Sequence, residues 1–577
     1  MKVSISWLKE LVDLNCSVEE LAKLLPLRSI STKEVTNDFI ELDMKGYNRA
    51  DLLSMRGVAM EVAAITGSKI LFKEPEEANF VWNQAKLPSV NVKIENTNLC
   101  PIYCVVKIEG LILGSSPEPL VKKLNDSGVR SVNNIADITN LIMLEYGQPL
   151  HSFDASKVEG DRIIVKTGKD GEEFVALDGK KRKLTSSDLL ICDNVKPIGI
   201  AGVMGAQNSE VTNSTTAILL EAAIFDPIQI RKTATRLGLQ SEAAKRFQHG
   251  LTKKRLLQAL NSAIKMYQEL GGKLTAINLV GDFEDKVRKI TLTKTKLENL
   301  VGVKFEVQQV EEYLEKLGFT LATQGYTLSG WEVTVPYWRL DVTIEADLIE
   351  EVARMYGYEK IPAEKVSESK PLQKEDPIFQ KIFDLRQKLV DLGLTEIQTY
   401  SFYSTNVQNA LGFNDLNKNS IVRLENPMSA ETEYLRQNIW PNLLEVVNRN
   451  LRKGYKDIAI FEIGKVFNVG KDGNPVENYR LAIALCNGTD NPLEELYQII
   501  QNSRLHPKGV NLKQTNPPGV TNHLFHPKRF VALEKDGSPR FAGEAGKQIG
   551  GLAEVHLRVL NKLGIEKRVA ILEMELQ

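Results

Sequence analysis

Between Ser131 and Asp154 the chain reads SVNNIADITNLIMLEYGQPLHSFD, an Asx/Thr-rich turn, an apolar run and a Gln-Pro-Leu-His segment packed into one unit. Asn133, Asn134, Asp137, Thr139 and Asn140 sit among apolar neighbours in a pattern that neither a plain helix nor a plain strand requires. The apolar side of such a segment must be buried, and its polar side must find partners or face a cavity. Thr139, Gln148 and His151 can all be presented toward one pocket.

A length of 577 residues is enough for about three to five domains, each with its own core. With 42% apolar and 25% charged residues and a net charge of −1, the balance of charge does not mark a nucleic-acid binder. Any such contact has to come from a local basic patch. No apolar run approaches the length needed to cross a bilayer, and the start, MKVSISWLKELVDL, reads as a strand leading into an amphipathic helix rather than as a secretion signal. Cys16, Cys100, Cys104, Cys192 and Cys486 are odd in number and scattered. That pattern points to reduced, buried thiols and a cytoplasmic location, since Cys100 and Cys104 lack a second pair to complete a zinc site.

Patterning along the chain divides it into four parts, residues 1–86, 87–285, 286–365 and 366–577. The first is read as helical, with GVAMEVAAITG from Gly57 stopping at Gly67. The second is mixed: NVKIENTNLCPIYCVVKIEG alternates like strands, and EFVALDGKKRKL carries a hairpin turn at Asp178-Gly179. The third holds ITLTKTKLENLVG, a helix through VEEYLEKLG, strands in GYTLSGWEVTVPYWR and a helix from Ile344. A polar linker follows over Pro362–Pro377, and Asp376-Pro377 opens a helix expected to bury Ile378, Phe379, Ile382, Leu385 and Leu389.

Several constellations carry possible chemistry. Gly199, Gly202 and Gly205 in GIAGVMG allow close backbone approach to a ligand, as they equally allow plain turns. Glu221 lies inside an apolar strand, where a carboxylate must be paired or must recognise something polar. Arg231, Lys232, Arg236, Lys245, Arg246, Lys253, Lys254 and Arg255 face a single acid, Glu242; they read as a solvated helix face or as a steering patch for an anionic backbone. Asp341, Asp347, Glu350 and Glu351 crowd a helix start, which suits either a salt-bridged helix or a hard cation such as magnesium. In the last part, Arg423, Arg436 and Arg449 form no defensible nucleotide site, and no phosphate loop is present.

These segments together resemble the beta chain of phenylalanyl-tRNA synthetase. The matching blocks, in the family's order, are GYNRADLLSMRGVAMEVAAITG, the Ser131–Asp154 segment, GIAGVMG, LLEAAIFDP, IRKTATRLGLQSEAAKRF, VPYWRLDVTIEADLIEEVARMYGYEKIP, NPMSAETEYLR and NHLFHPKR. The resemblance implies an α+β multidomain chain: a mixed editing domain, a small winged-helix-like, DNA-binding-like domain, and a catalytically inactive class II synthetase-like antiparallel core. It implies a heterotetramer of two alpha and two beta chains acting on tRNA(Phe), in which the alpha chain uses ATP to charge the tRNA and this chain hydrolyses mischarged tyrosyl-tRNA(Phe). By the same resemblance, Thr139, Asn140 and His151 position the ester and its water, Glu221 reads the tyrosyl hydroxyl, and Arg130 faces the tRNA terminus. Gly202, Gly205, Ser241 and Ala243 fall on substrate-pocket positions, Asp341, Asp347, Glu350 and Glu351 on those of a Mg2+ shared with the alpha chain, and the helix from Asp376 on a subunit interface.

The sequence departs from the family pattern at Ala50, Ser241, Ala244, Lys245, Gln248 and His249. An oligonucleotide-binding barrel is expected to be missing after about residue 40, and an anticodon-binding domain after the core. Two other readings differ in class: an architectural subunit with an inactive pocket, and a free-standing tRNA-binding protein.

Overall fold

Met55, Val58, Ala59 and Val62 fall on one face at helical spacing and drive α1 (Met55–Thr66) into the N-terminal core. Ser54 caps it by accepting from Gly57 N, and Gly67, at φ +71°, ends it in the left-handed region. A Cβ at Gly57 would lie 2.0 Å from the Asp51 carbonyl oxygen, so only glycine lets the preceding turn close on this helix. The first part, read as helical, also holds a three-stranded antiparallel sheet of Lys2–Ser4, Thr32–Val35 and Phe39–Leu42. Its alternation is too short to stand out in sequence.

This computed structural model describes residues 1–73, 87–284, 287–322, 326–327, 330–364, 376–403, 407–408, 411–412, 421–429, 432–503, 510–517, 523–535 and 548–576. The chain separates into two units, Met1–Lys365 and Val366–Gln577. Most of the linker read over Pro362–Pro377, and parts of the NPMSAETEYLR and NHLFHPKR blocks, lie outside the described residues.

In the first unit, β1 (Ile102–Glu109), β2 (Leu150–Asp154), β3 (Ala217–Ile224) and β4 (Lys273–Gly281) form an antiparallel sheet in the order β4-β1-β3-β2. β3 is central and apolar on both faces: Ile218, Leu220 and Ala222 enter one core cluster, Leu219 and Ala223 the other. Glu221 therefore points, with Leu219 and Ala223, into the second cluster. A five-stranded sheet adds Asn91–Ile94, Arg162–Thr167, Leu189–Cys192, Pro197–Ile200 and Met204–Gly205. The expected hairpin forms, pairing Glu173–Val175 with Lys181–Lys183 around Gly179 at φ +73°.

The turn expected near Asn133 is the start of a helix, α2 (Asn134–Tyr146). Asn133 Oδ1 accepts from Ile135 N and Ala136 N, and Asn134 bonds Gly114 N and Ile112 O. Asp137 accepts from Ser116, Ser131 and the Val132 amide. The mixed pattern thus reflects capping and loop stapling, with three faces of the helix in use. Ile135, Ile138, Ile142 and Tyr146 pack under the sheet, Leu141 and Leu144 against the N-terminal core, and Ala136, Thr139, Asn140 and Met143 along a cavity.

α3 (Glu242–His249) and α4 (Glu345–Tyr356) complete the parts needed here. α4 packs with helices Lys294–Val301 and Val307–Lys316 on a three-stranded sheet. In the second unit α5 (Pro377–Asp391), capped by Asp376, lies on a seven-stranded sheet, antiparallel except for the pair Thr395–Glu396 and Ile460–Phe461. α5 buries Ile382, Leu385 and Leu389, but Phe379, expected inside, is 51% exposed.

Candidate functional site

A cavity of about 410 Å³ opens between the edge of the β1–β4 sheet, α2, α3 and the hairpin around Gly202. Thr139, Asn140, His151, Gly202, Gly205, Glu221, Ser241 and Ala243 all line it. Arg130 does not; it is exposed in the loop before α2. Gln148 turns away too: it is fully buried, and its Nε2 donates to Pro149 O and Ala223 O, bracing β3 from behind.

Strand register makes the centre of the site. Glu221 on β3 stands directly opposite His151 on β2, so both side chains emerge on one face. Burial pushes the Glu221 carboxyl up to about 7, opposed by a hydrogen bond that Tyr103 Oη donates to Oε2 at 2.6 Å. Burial also holds the His151 imidazole down at about 4, which leaves it neutral at pH 7 and able to accept a hydrogen bond. Among the described residues no lysine or arginine lines the cavity.

The glycines have distinct roles. A Cβ at Gly205 would lie 2.7 Å from His151 Cε1 and Nε2, so the bare backbone there gives the imidazole its place. Gly202, at φ +64°, turns the hairpin, and a Cβ there would meet Phe225, Ile230 and Phe247 at 3.0 Å. Ser241 Oγ donates to Val203 O at 2.7 Å and accepts from Ala244 N at 3.0 Å, which ties the start of α3 to that hairpin. Thr139 Oγ1 already donates to Ala136 O at 2.7 Å, so toward a ligand it can only accept.

The basic segment is not one solvated face. Arg231, Lys232, Arg236 and Lys245 are exposed, but Arg246 and Arg255 are buried. Arg246 donates to Leu53 O and Glu242, joining α3 to the N-terminal core. Four cysteines are buried as expected, while Cys16 is half-buried; none is in a disulfide.

The four acidic residues do not converge either. Asp341 is taken by Arg339, whose Nη2 donates at 2.7 Å. Glu351 is buried between Arg339 and Arg354, which hold its carboxyl well below the usual range despite burial. Asp347 Oδ2 accepts from Thr343 N and Ile344 N at the start of α4, and Glu350 is exposed. Among the described residues no group of three or more His, Cys, Asp or Glu is placed to hold a metal ion. The oxygens of Asp341 and Glu351 are committed to guanidinium groups, whereas Asp347 caps the start of α4 and Glu350 faces outward.

In the second unit Arg436 is buried against Glu462 at 2.7 Å, and Glu573 accepts from Ile439 N and Trp440 N at a helix start. Ion pairs and a helix cap thus occupy these polar groups.

Tyr103 is the site residue that the sequence did not disclose. It lies opposite Ala223, diagonal to Glu221, and that neighbourhood exists only through the β1–β3 register.

Comparison with known families defines the class first. Residues 99–272 match the B3/4 domain, 290–358 the tRNA synthetase B5 domain and 361–576 the phenylalanyl tRNA synthetase beta chain CLM domain, so this is a multidomain tRNA-synthetase component. The phenylalanine–tRNA ligase beta subunit of Syntrophus aciditrophicus (strain SB) is 35% identical over 552 residues, 92% of this chain and 66% of that protein. That of Carboxydothermus hydrogenoformans is 34% identical over 555 residues, 94% of this chain and 67% of that protein. The chain belongs to the phenylalanine–tRNA ligase beta subunit family, and it spans about two thirds of the length of these curated relatives. An N-terminal fragment of the phenylalanyl-tRNA synthetase beta-subunit from Pyrococcus horikoshii aligns at a TM-score of 0.35 and 18% identity, covering 62% of this chain and 99% of that one. The described residues include no helix long and apolar enough to cross a membrane.

Proposed function

We propose that this chain hydrolyses tyrosine mistakenly esterified to tRNA(Phe), as the editing component of a phenylalanine–tRNA ligase whose alpha partner does the charging. The observation that carries the reading is Glu221, a buried carboxylate lining a mostly apolar cavity. An apolar synthetic pocket rejects an added hydroxyl only about a hundredfold, whereas a site built to hydrogen-bond that hydroxyl reaches roughly 10⁴-fold or more. Glu221 accepts from the phenol, and the aromatic ring lies along the apolar wall. Neutral His151 accepts a hydrogen bond from the attacking water. Thr139 offers lone pairs only, and Asn140 supplies both a donor and an acceptor beside it. Water adds to the ester carbonyl, the acyl–oxygen bond breaks, and the proton ends on the ribose oxygen. Arg130 and the exposed Arg231, Lys232, Arg236 and Lys245 meet the tRNA backbone. ATP and magnesium belong to the alpha chain's reaction, and no step here uses them.

The test is hydrolysis of tyrosyl-tRNA(Phe) by the chain co-purified with its alpha partner, wild type against Glu221→Ala. Loss of a charged hydrogen bond should cost the variant tens- to about a hundredfold in kcat/KM. Equal, uncatalysed rates in both would leave an architectural subunit.

A further inference from the structure

Glu221 reaches the cavity with one oxygen already taken. Tyr103 is fully buried on β1, does not line the cavity, and donates from behind to Glu221 Oε2 at 2.6 Å. Among the described residues no donor reaches Glu221 Oε1. We propose that Tyr103 is a positioning residue for substrate choice: its hydroxyl pins one oxygen of Glu221 so that the other stands open to the cavity as a single, oriented acceptor for a phenol. The inference rests on the tyrosyl-editing reading above and adds to it the group that aims the carboxylate.

Chemistry favours this division of labour. A carboxylate with two free oxygens and rotating side-chain torsions would meet a phenol in many geometries, and ordering it on binding would weaken the contact. Burial and the Glu221 charge both raise the Tyr103 phenol far above its ordinary range, so the hydroxyl keeps its proton and remains a donor. The other groups around Glu221 are the Cys100 thiol before β1, His151 on β2, and the carboxylates Glu210 and Glu242 on the cavity wall. None of these supplies a positive charge at pH 7. The Tyr103 hydrogen bond is thus the group that favours ionised Glu221, and ionised Glu221 is the better acceptor.

The experiment follows tyrosyl-tRNA(Phe) hydrolysis between pH 6 and 8.5 by the full chain with its alpha partner, using wild type, Tyr103→Phe and Glu221→Gln. Tyr103→Phe removes a single oxygen atom. It should raise KM about tenfold with little change in kcat, and shift the midpoint of the pH profile up by about one unit. Selection of the tyrosyl over the phenylalanyl ester should fall by the same factor. If Tyr103→Phe compromises folding, 3-fluorotyrosine at position 103, a stronger donor of nearly the same shape, should move the midpoint downward. Wild-type KM and pH profile in Tyr103→Phe, with hydrolysis lost in Glu221→Gln, would overturn the role of Tyr103 alone. Wild-type enzyme without hydrolysis above the uncatalysed rate would overturn the editing reading and this inference with it.

Discussion

Two residues facing each other across β2 and β3 carry opposite acid–base signs. Glu221 has its folded pKa raised from the ordinary 4.5 to about 7, so the folded state holds more protons than the unfolded one in that window and its contribution falls as pH rises. His151 has its folded pKa lowered from 6.5 to about 4, so its contribution falls as pH drops through that window. Between about pH 4.5 and 6.5 the two nearly cancel. Glu221→Gln should remove one side of the balance, gaining stability relative to wild type by up to about 3 kcal/mol as pH rises from 4.5 to 7. Hydrogen exchange of the β3 amides across that range reads the difference; a pH-independent gap would contradict the burial of a titrating carboxyl. The neighbouring glycine makes a separate prediction. Gly205→Ala places a methyl group 2.7 Å from the imidazole. It should displace His151 and depress tyrosyl-ester hydrolysis at least tenfold with little change in unfolding temperature. An unimpaired variant would show that His151 has room to spare.

At the scale of elements, α2 is the part that sequence patterning described least well. Its polar residues were legible as unusual, but their meaning depended on partners twenty residues away, such as Asn134 with Gly114 and Asp137 with Ser116. Periodicity reports one buried face; it does not resolve a helix that packs on three sides. α1 and α5, each with one dominant apolar face and a local cap, were readable directly. Asn133→Ala should weaken α2 by about 1 kcal/mol through loss of the cap. Asp137→Ala should cost more, because it strands three donors at a buried position. Comparing the two variants by urea unfolding, with proteolysis of the 112–133 segment as a local probe, checks the ranking.

At the scale of the molecule, the first unit is joined by a buried chain of charges. Glu61 on α1 receives Arg49 at 2.8 Å and Arg354 from α4, while Arg354 also binds Glu351 at 2.6 Å and donates to Arg28 O. Despite burial, Arg354 and Arg49 hold the Glu61 carboxyl down at about 2. Its contribution is therefore complete above the ordinary 4.5 and lost as pH falls toward 2. Arg354→Met leaves Glu61 and Glu351 short of a partner and should cost on the order of 3–5 kcal/mol. EDTA should leave the unfolding temperature of wild type unchanged, because arginines rather than a metal neutralise these acids. A chelator-sensitive transition would argue for a cation.

The sequence alone determined the family and most of the residues that meet in the cavity, because local caps, glycine turns and motif order are written along the chain. Tertiary structure decided which polar groups face the cavity and which only support it. Gln148 and Arg130 left the cavity wall, Ser241 became a brace, and Glu351 of α4 joined two arginines. Tyr103 entered behind Glu221. Each of these outcomes depends on strand register or on packing between distant segments. A one-residue change of register would turn Tyr103 to the opposite face without altering a letter of its local pattern.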